Sequence, residues 1–207
     1  MSDETRAHAR RWDERYSGEQ FLFGTAPNGF LERVEPELPR GRALCYGDGE
    51  GRNGVFLAKS GFEVTSMDAS QVGIAKARRL AHEHGVNLTA VVSDLREFDF
   101  GTGQWDVIVS IFVHLFPDLR GRVHRRVVDA LRPGGAFVLE AYTPEQLRYR
   151  TGGPPREDLL MTLPMLREDL RGLELEIGEE RIRDVVEGRG HNGKAAVVQV
   201  LARKPPR

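Results

Sequence analysis

Short apolar runs alternate along this chain with stretches whose apolar residues fall three or four positions apart. The run Ala43-Leu44-Cys45-Tyr46 predicts a first strand, and Val55, Phe56, Leu57 and Ala58 predict a helix that must stop at Gly61, a natural left-handed cap. Phe62-Glu63-Val64-Thr65-Ser66-Met67 alternates and is β-branched, which predicts a second strand ending at Asp68. Ser70 is placed to cap a helix running to about His84, with Val72, Ala75, Leu80 and Ala81 near helical spacing, and residues 88–92 predict a third strand. Trp105-Asp106-Val107-Ile108-Val109-Ser110-Ile111 is nearly continuous in its apolar content, as in a middle strand covered on both faces. An amphipathic helix over 118–131 follows, carrying Leu119, Val123, Val127 and Leu131; Pro133-Gly134-Gly135 closes it, and 136–139 predict a fifth strand.

Regular alternation of strand and helix is the pattern of right-handed βαβ units around a parallel sheet. The rhythm changes after Tyr142. Thr151-Gly152-Gly153-Pro154-Pro155 predicts a loop, 164–170 a short helix, and 173–184 and 195–202 two extended segments with no helix between them. Joined across Gly188-Arg189-Gly190-His191-Asn192-Gly193, they predict an antiparallel pair on one edge of the sheet.

Composition narrows the function classes. With 207 residues and 40% hydrophobic content the chain suits one well-buried domain. Its 30 Lys and Arg nearly balance its 31 Asp and Glu, so neither nucleic acid nor an anionic membrane is an expected partner. Arg10-Arg11, Arg78-Arg79 and Arg125-Arg126 read as solvated helix faces, as do His8, His82, His84 and His124. The single cysteine, Cys45, lies within the first predicted strand and reads as a small buried hydrophobe in a reducing compartment. Residues 1–10 are polar and no apolar stretch approaches a membrane span, which leads to the expectation of a cytoplasmic protein, monomer or homodimer.

Chemistry concentrates where the first strand ends, in Gly47-Asp48-Gly49-Glu50-Gly51-Arg52-Asn53-Gly54. Glycine is needed where a chain turns with positive φ or lets a ligand approach its backbone, and the helix behind it offers unpaired N–H groups. Gly49, Gly51 and Gly54 fit the dinucleotide spacing G-x-G-x-x-G, whereas Gly47, Gly49 and Gly51 fit G-x-G-x-G. Asp68, at the end of the second strand, suits the ribose hydroxyls of either cofactor. A dinucleotide enzyme should continue with three more βα units, but this chain turns to one more parallel strand and an antiparallel pair.

That order of elements, with Gly47-x-Gly49-x-Gly51, Asp68, Asp94, the 105–110 strand and the turn Leu131-Arg132-Pro133-Gly134-Gly135, resembles the class I S-adenosylmethionine-dependent methyltransferases across most of the chain. The resemblance implies an α/β, three-layer Rossmann-like fold with a seven-stranded, mostly parallel sheet and a C-terminal antiparallel strand pair. Residues 1–40 would form a helical or lid segment, 41–142 the cofactor core and 143–207 the acceptor side. It implies S-adenosylmethionine as cofactor and methyl transfer to a small molecule, with sulfur or another chalcogen slightly ahead of oxygen or nitrogen. Trp12-Asp13-Glu14-Arg15-Tyr16, Phe23-Gly24-Thr25-Ala26-Pro27-Asn28 and the ending 187–199 are similar to the tellurite-resistance and thiopurine methyltransferase-like subgroup.

Under this resemblance the cofactor residues are Gly47, Asp48, Gly49, Gly51 and Asn53, then Asp68, Ala69 and Ser70, then Asp94, Leu95 and Ser110. Trp12 and Tyr16, with Phe21 and Phe23, form either a lid over the cofactor or a cover on the sheet. One position departs: Cys45 stands where the family usually has an acidic residue for the methionine ammonium, a task a neutral thiol does not perform. Either Asp48 or a backbone carbonyl and water take it over, or the cofactor is bound weakly, is different or is not bound at all, which leaves a non-catalytic binder; an NAD-dependent reductase is the other alternative. In-line methyl transfer needs alignment and exclusion of water rather than a nucleophilic triad. Candidate catalytic groups at the predicted carboxyl edge are His114, His191 and Tyr142, each weighed against plain packing; Glu140 reads as structural.

Overall fold

The computed structural model describes residues 3–206, with side chains from residue 6; residues 1, 2 and 207, the ends of the predicted domain, lie outside the described residues. Helices α1 (Asp3–Tyr16) and α2 (Gly29–Val34) precede β1 (Arg42–Tyr46), α3 (Arg52–Lys59), β2 (Glu63–Asp68), α4 (Gln71–Glu83) and β3 (Thr89–Val92). After them come β4 (Trp105–Ile111), α5 (Pro117–Ala130), β5 (Leu131–Tyr142), α6 (Leu163–Asp169), β6 (Glu174–Glu187) and β7 (His191–Arg203). The strands form one seven-stranded sheet in the order β3-β2-β1-β4-β5-β7-β6. β1 to β5 pair in parallel; β7 is antiparallel to both β5 and β6.

Alternation along the strands sends side chains to two cores. Leu44, Ile108, Phe137 and Leu139 pack on one face with Leu119, Val123 and Val127 of α5 and Leu166 of α6. Ala43, Cys45, Val107, Val109 and Val138 pack on the other with Phe30, Leu31 and Val34 of α2 and Leu57 of α3. This is the three-layer α/β architecture expected, and β4 lies mid-sheet, buried on both faces. Each fully buried Leu, Ile or Phe stabilises such a core by about 1.5–3 kcal/mol. Ser70 caps α4 as its sequence position indicates, its Oγ accepting from the Gly73 amide at 2.9 Å.

Three expectations change. The turn at Pro133-Gly134-Gly135 lies inside β5, which starts at Leu131; the pairing jumps from Trp105↔Leu131 to Val107↔Ala136, so an irregularity absorbs the turn instead of ending the strand. The final hairpin is longer than its apolar alternation shows, with β6 reaching Glu187 and β7 starting at His191. His124 is buried rather than on a helix surface, because α6 folds against α5 and Asp169 Oδ2 lies 3.0 Å from His124 Nδ1. Among the described residues no helix is long and apolar enough to cross a membrane.

Candidate cofactor and acceptor site

The loop between β1 and α3 uses its glycines for both conformation and space. Gly47, Gly49 and Gly51 have φ of 62°, 57° and 87°, in the left-handed region that side chains rarely adopt. A Cβ would lie 2.6 Å from Val113 Cγ2 at Gly47, 2.5 Å from the Tyr16 hydroxyl at Gly49 and 2.5 Å from Ala77 Cβ at Gly51. Asp68, at the end of β2, accepts from the Gly49 amide at 2.9 Å through Oδ2 and from the Ser70 amide at 2.8 Å through Oδ1. Burial raises its pKa, while these bonds and the Ala69 amide hold it down. A carboxylate offers about four acceptor positions, so Asp68 keeps capacity for further hydroxyl donors. At the neighbouring end of β3, buried Asp94 accepts from the Arg96 amide at 2.7 Å, and Leu95 packs against the main core. Ser110 is buried on β4.

Two predicted cofactor residues turn inward. Asp48 Oδ2 accepts from Ser66 Oγ at 2.7 Å and the Gly54 amide at 3.1 Å, tying the loop to β2 and α3. Its Oδ1 is buried with no partner, and burial pushes the carboxyl up to about 7. Asn53 Oδ1 accepts from the Asn28 amide at 2.9 Å and so anchors the N-terminal segment. Cys45 belongs to the core beneath α2 and α3, where burial raises its thiol pKa.

The N-terminal segment is drawn onto the loop by charge. Lys76 Nζ lies 2.7 Å from Glu50 Oε1 and donates to the Gln20 carbonyl at 2.9 Å, while Glu50 Oε2 accepts from the Leu22 amide at 2.7 Å. Asp13 Oδ1 accepts from Ser70 Oγ at 2.6 Å and the Val72 amide at 3.1 Å, docking α1 on the start of α4. Tyr16 is buried over Gly49, with Trp12 stacked on it at 5.3 Å between ring centroids. Phe23 continues the line of rings to His191, 4.5 Å away.

His114, Tyr142 and His191 come together in one aromatic cluster with Phe112, a non-glycine residue at φ 55°. His114 Nδ1 lies 3.0 Å from the Phe112 carbonyl, which only accepts, so that nitrogen carries the proton. Its Nε2 accepts from the Tyr142 amide at 3.2 Å, and burial pushes the imidazole down to about 4. Both ring nitrogens are thus spent on backbone, which corrects the reading of His114 as a base. The Tyr142 phenol is raised by burial, with Glu187 and Glu140 adding to the effect. His191 is buried, its pKa lowered by burial against a raising contribution from Glu187. Glu140 is wholly buried and structural: Asn28, Arg183 and Gln199 all donate to it.

Sequence reasoning left out Glu50, Lys76, Arg52 and Glu187. Glu50 and Arg52 stand in the glycine loop and Glu187 opens the last turn, but the partners that give them and Lys76 their roles lie far along the chain.

Residues 43–135 match a family described as a methyltransferase domain. That segment carries a methyltransferase domain. It is 30% identical to the EEF1A lysine methyltransferase 4 of Mus musculus, over 71% of this chain and 66% of that one. It is 25% identical to the ubiquinone biosynthesis O-methyltransferase of Rickettsia conorii, over 67% of this chain and 48% of that one. The chain therefore spans about two thirds and about half the length of these two relatives. In fold it resembles TehB from Haemophilus influenzae, with a TM-score of 0.70 and 19% identity over 95% of this chain and 66% of that one. S-adenosylmethionine is the cofactor this domain implies.

Proposed function

We propose that the protein transfers a methyl group from S-adenosylmethionine to a small-molecule nucleophile, with a sulfur or other chalcogen acceptor ahead of oxygen or nitrogen. The observation carrying the cofactor reading is the glycine cradle at the end of β1, backed by an Asp68 carboxylate with unused acceptor positions. Gly47, Gly49 and Gly51 give the backbone approach, Asp68 holds the ribose hydroxyls and Asp94 the adenine amino group. The bound cofactor supplies a sulfonium-borne methyl open to in-line attack. Tyr16, Trp12 and Phe23 keep water from the reacting centre.

The acceptor preference rests on how weak the bases are. His114 has no free nitrogen, Tyr142 is shifted away from ionisation and His191 is a depressed imidazole. Such a site suits a nucleophile that ionises with little help, as a thiol does and an alkyl alcohol does not. His191 is then the group that takes the acceptor's proton. Cys45, kept as a buried free thiol, supports a reducing, cytoplasmic setting. We place no nucleic acid or membrane among the partners.

Thermal unfolding with S-adenosylhomocysteine, and separately with NAD, tests the cofactor. At a hundredfold its dissociation constant a ligand adds roughly 2.7 kcal/mol, a rise of about 5–10 °C for a domain of this size. The rise is expected with S-adenosylhomocysteine alone and is lost in Asp68→Ala. A rise with NAD, or one that survives Asp68→Ala, overturns the assignment. Benzenethiol methylated faster than phenol is the expected acceptor order; the reverse refutes the chalcogen preference.

A further inference from the structure

One carboxylate connects the two halves of the site. Glu187, the last residue of β6, is buried; its Oε2 lies 2.6 Å from Arg52 Nη2, and its Oε1 accepts from Arg183 Nη2 and from Asn28 Nδ2, each at 3.0 Å. Arg52 is the first residue of α3, directly behind the glycine loop, where the helix dipole disfavours a cation. The Glu187 charge offsets that placement. Two guanidinium groups and an amide in turn keep the carboxylate ionised. The same Oε2 lies 4.0 Å from His191 Nδ1, a buried nitrogen with no hydrogen-bond partner.

The chemistry of that approach fixes a proton. An ionised carboxylate only accepts hydrogen bonds, so a bare Nδ1 lone pair facing it would be repelled, whereas an Nδ1–H would be attracted. The rings of Phe23, Phe112 and Tyr142 surround the imidazole and have no stronger acceptor to offer that nitrogen. Resting on the function proposed above, we infer that Glu187 is a positioning residue: it holds His191 as the Nδ1–H tautomer, leaving the Nε2 lone pair for the acceptor's proton, and through Arg52 ties that imidazole to the cofactor loop. On transfer the acceptor loses its proton to Nε2, the imidazolium is held by Glu187, and the proton then passes to solvent. The charged and titratable groups around His191 are Glu187 on β6, Arg52 on α3, Arg15 on α1, His114 after β4 and Tyr142 on β5. Glu187 is the one among them that favours a proton on the ring.

The test needs no acceptor and no turnover. Nitrogen-15 shifts of the His191 ring in the full-length protein report its tautomer, and their pH titration reports its affinity for a proton. The expected result is Nδ1–H in the native protein at neutral pH. Glu187→Gln should lower the midpoint by at least one pH unit, a tenfold loss of proton affinity, and let the Nε2–H form appear. Arg183→Gln removes another member of the network but leaves Glu187 in place, so it should keep the tautomer even as it lowers stability. An Nε2–H tautomer in the native protein, or a midpoint unmoved in Glu187→Gln, overturns the inference. If Glu187→Gln does not fold, the native tautomer alone still decides. Failure to bind S-adenosylhomocysteine would instead refute the cofactor reading and leave these ring shifts as they are.

Discussion

Two buried carboxylates in this molecule are driven in opposite directions by their surroundings. Burial opposes the Glu187 charge, but His191 and the guanidinium groups of Arg52 and Arg183 hold it down at about 2, whereas Asp48 has one amide, one hydroxyl and no cation in contact, and burial pushes it up to about 7. Asp48 normally loses its proton near 3.8, so between about pH 4 and 7 the folded protein holds a proton that the unfolded chain has released. Its contribution to stability is therefore full below that window and falls as pH rises through it, by up to about 1.4 kcal/mol per pH unit. Asp48→Asn should remove this slope and raise stability at pH 8, because an amide fills the same space with no charge to bury. Urea unfolding of both proteins between pH 5 and 8 measures this; parallel pH profiles would show that Asp48 does not set the slope. Glu187 acts in a separate window, since its stabilisation is present above about 4.5 and is lost as pH falls towards 2.

Between elements, residues 17–28 have no helix or strand of their own, and side chains from elsewhere fix them in place. The Glu50–Lys76 pair is the main staple, buried on both sides. Breaking one partner of a buried pair commonly costs about 3–5 kcal/mol, because the other charge stays behind unpaired. Lys76→Met should show a loss of that order in denaturant and become sensitive to protease within 17–25, while Glu50→Gln combined with Lys76→Met should lose much less than the two single losses added. Strict additivity would mean that the pair is not coupled. These contacts also mark where sequence reading stops. β4 and α4 were legible because their signals are local: a continuous apolar run in one, and Ser70 ahead of a helical stripe in the other. The full length of β6 was not, since its outer residues are charged and pair with Asn28, Arg52 and Glu140, up to 159 positions away. His124 was misread because the helix that buries it follows some forty residues later. Within the site, the glycines and Asp68 could be read from spacing, but the direction Asp48 and Asn53 face could not, because it depends on Ser66 and Asn28 arriving from other elements.

At the scale of the whole molecule, a sheet buried on both faces carries a polar clasp at one end. β1, β4 and β5 are covered by helices on either side and should open only with global unfolding. The clasp is different in kind: α1 is docked by Asp13, residues 20–22 by Glu50 and Lys76, and residues 22–24 by the 188–190 turn, where the Arg189 and Gly190 amides both donate to the Leu22 carbonyl. Among the described residues no strand pairing joins these segments to the sheet, so the clasp should open locally and at lower cost than the sheet. If Tyr16 and Phe23 act as a lid, S-adenosylhomocysteine should slow amide exchange in α1, residues 17–28 and the 187–191 turn together, and leave β1, β4 and β5 unchanged. The expected coupling follows from the chain of ring contacts from Tyr16 through Phe23 to His191. Slowing confined to the glycine loop and the start of α4 would give the other answer: the N-terminal aromatics cover the sheet, and the cofactor enters and leaves without moving them.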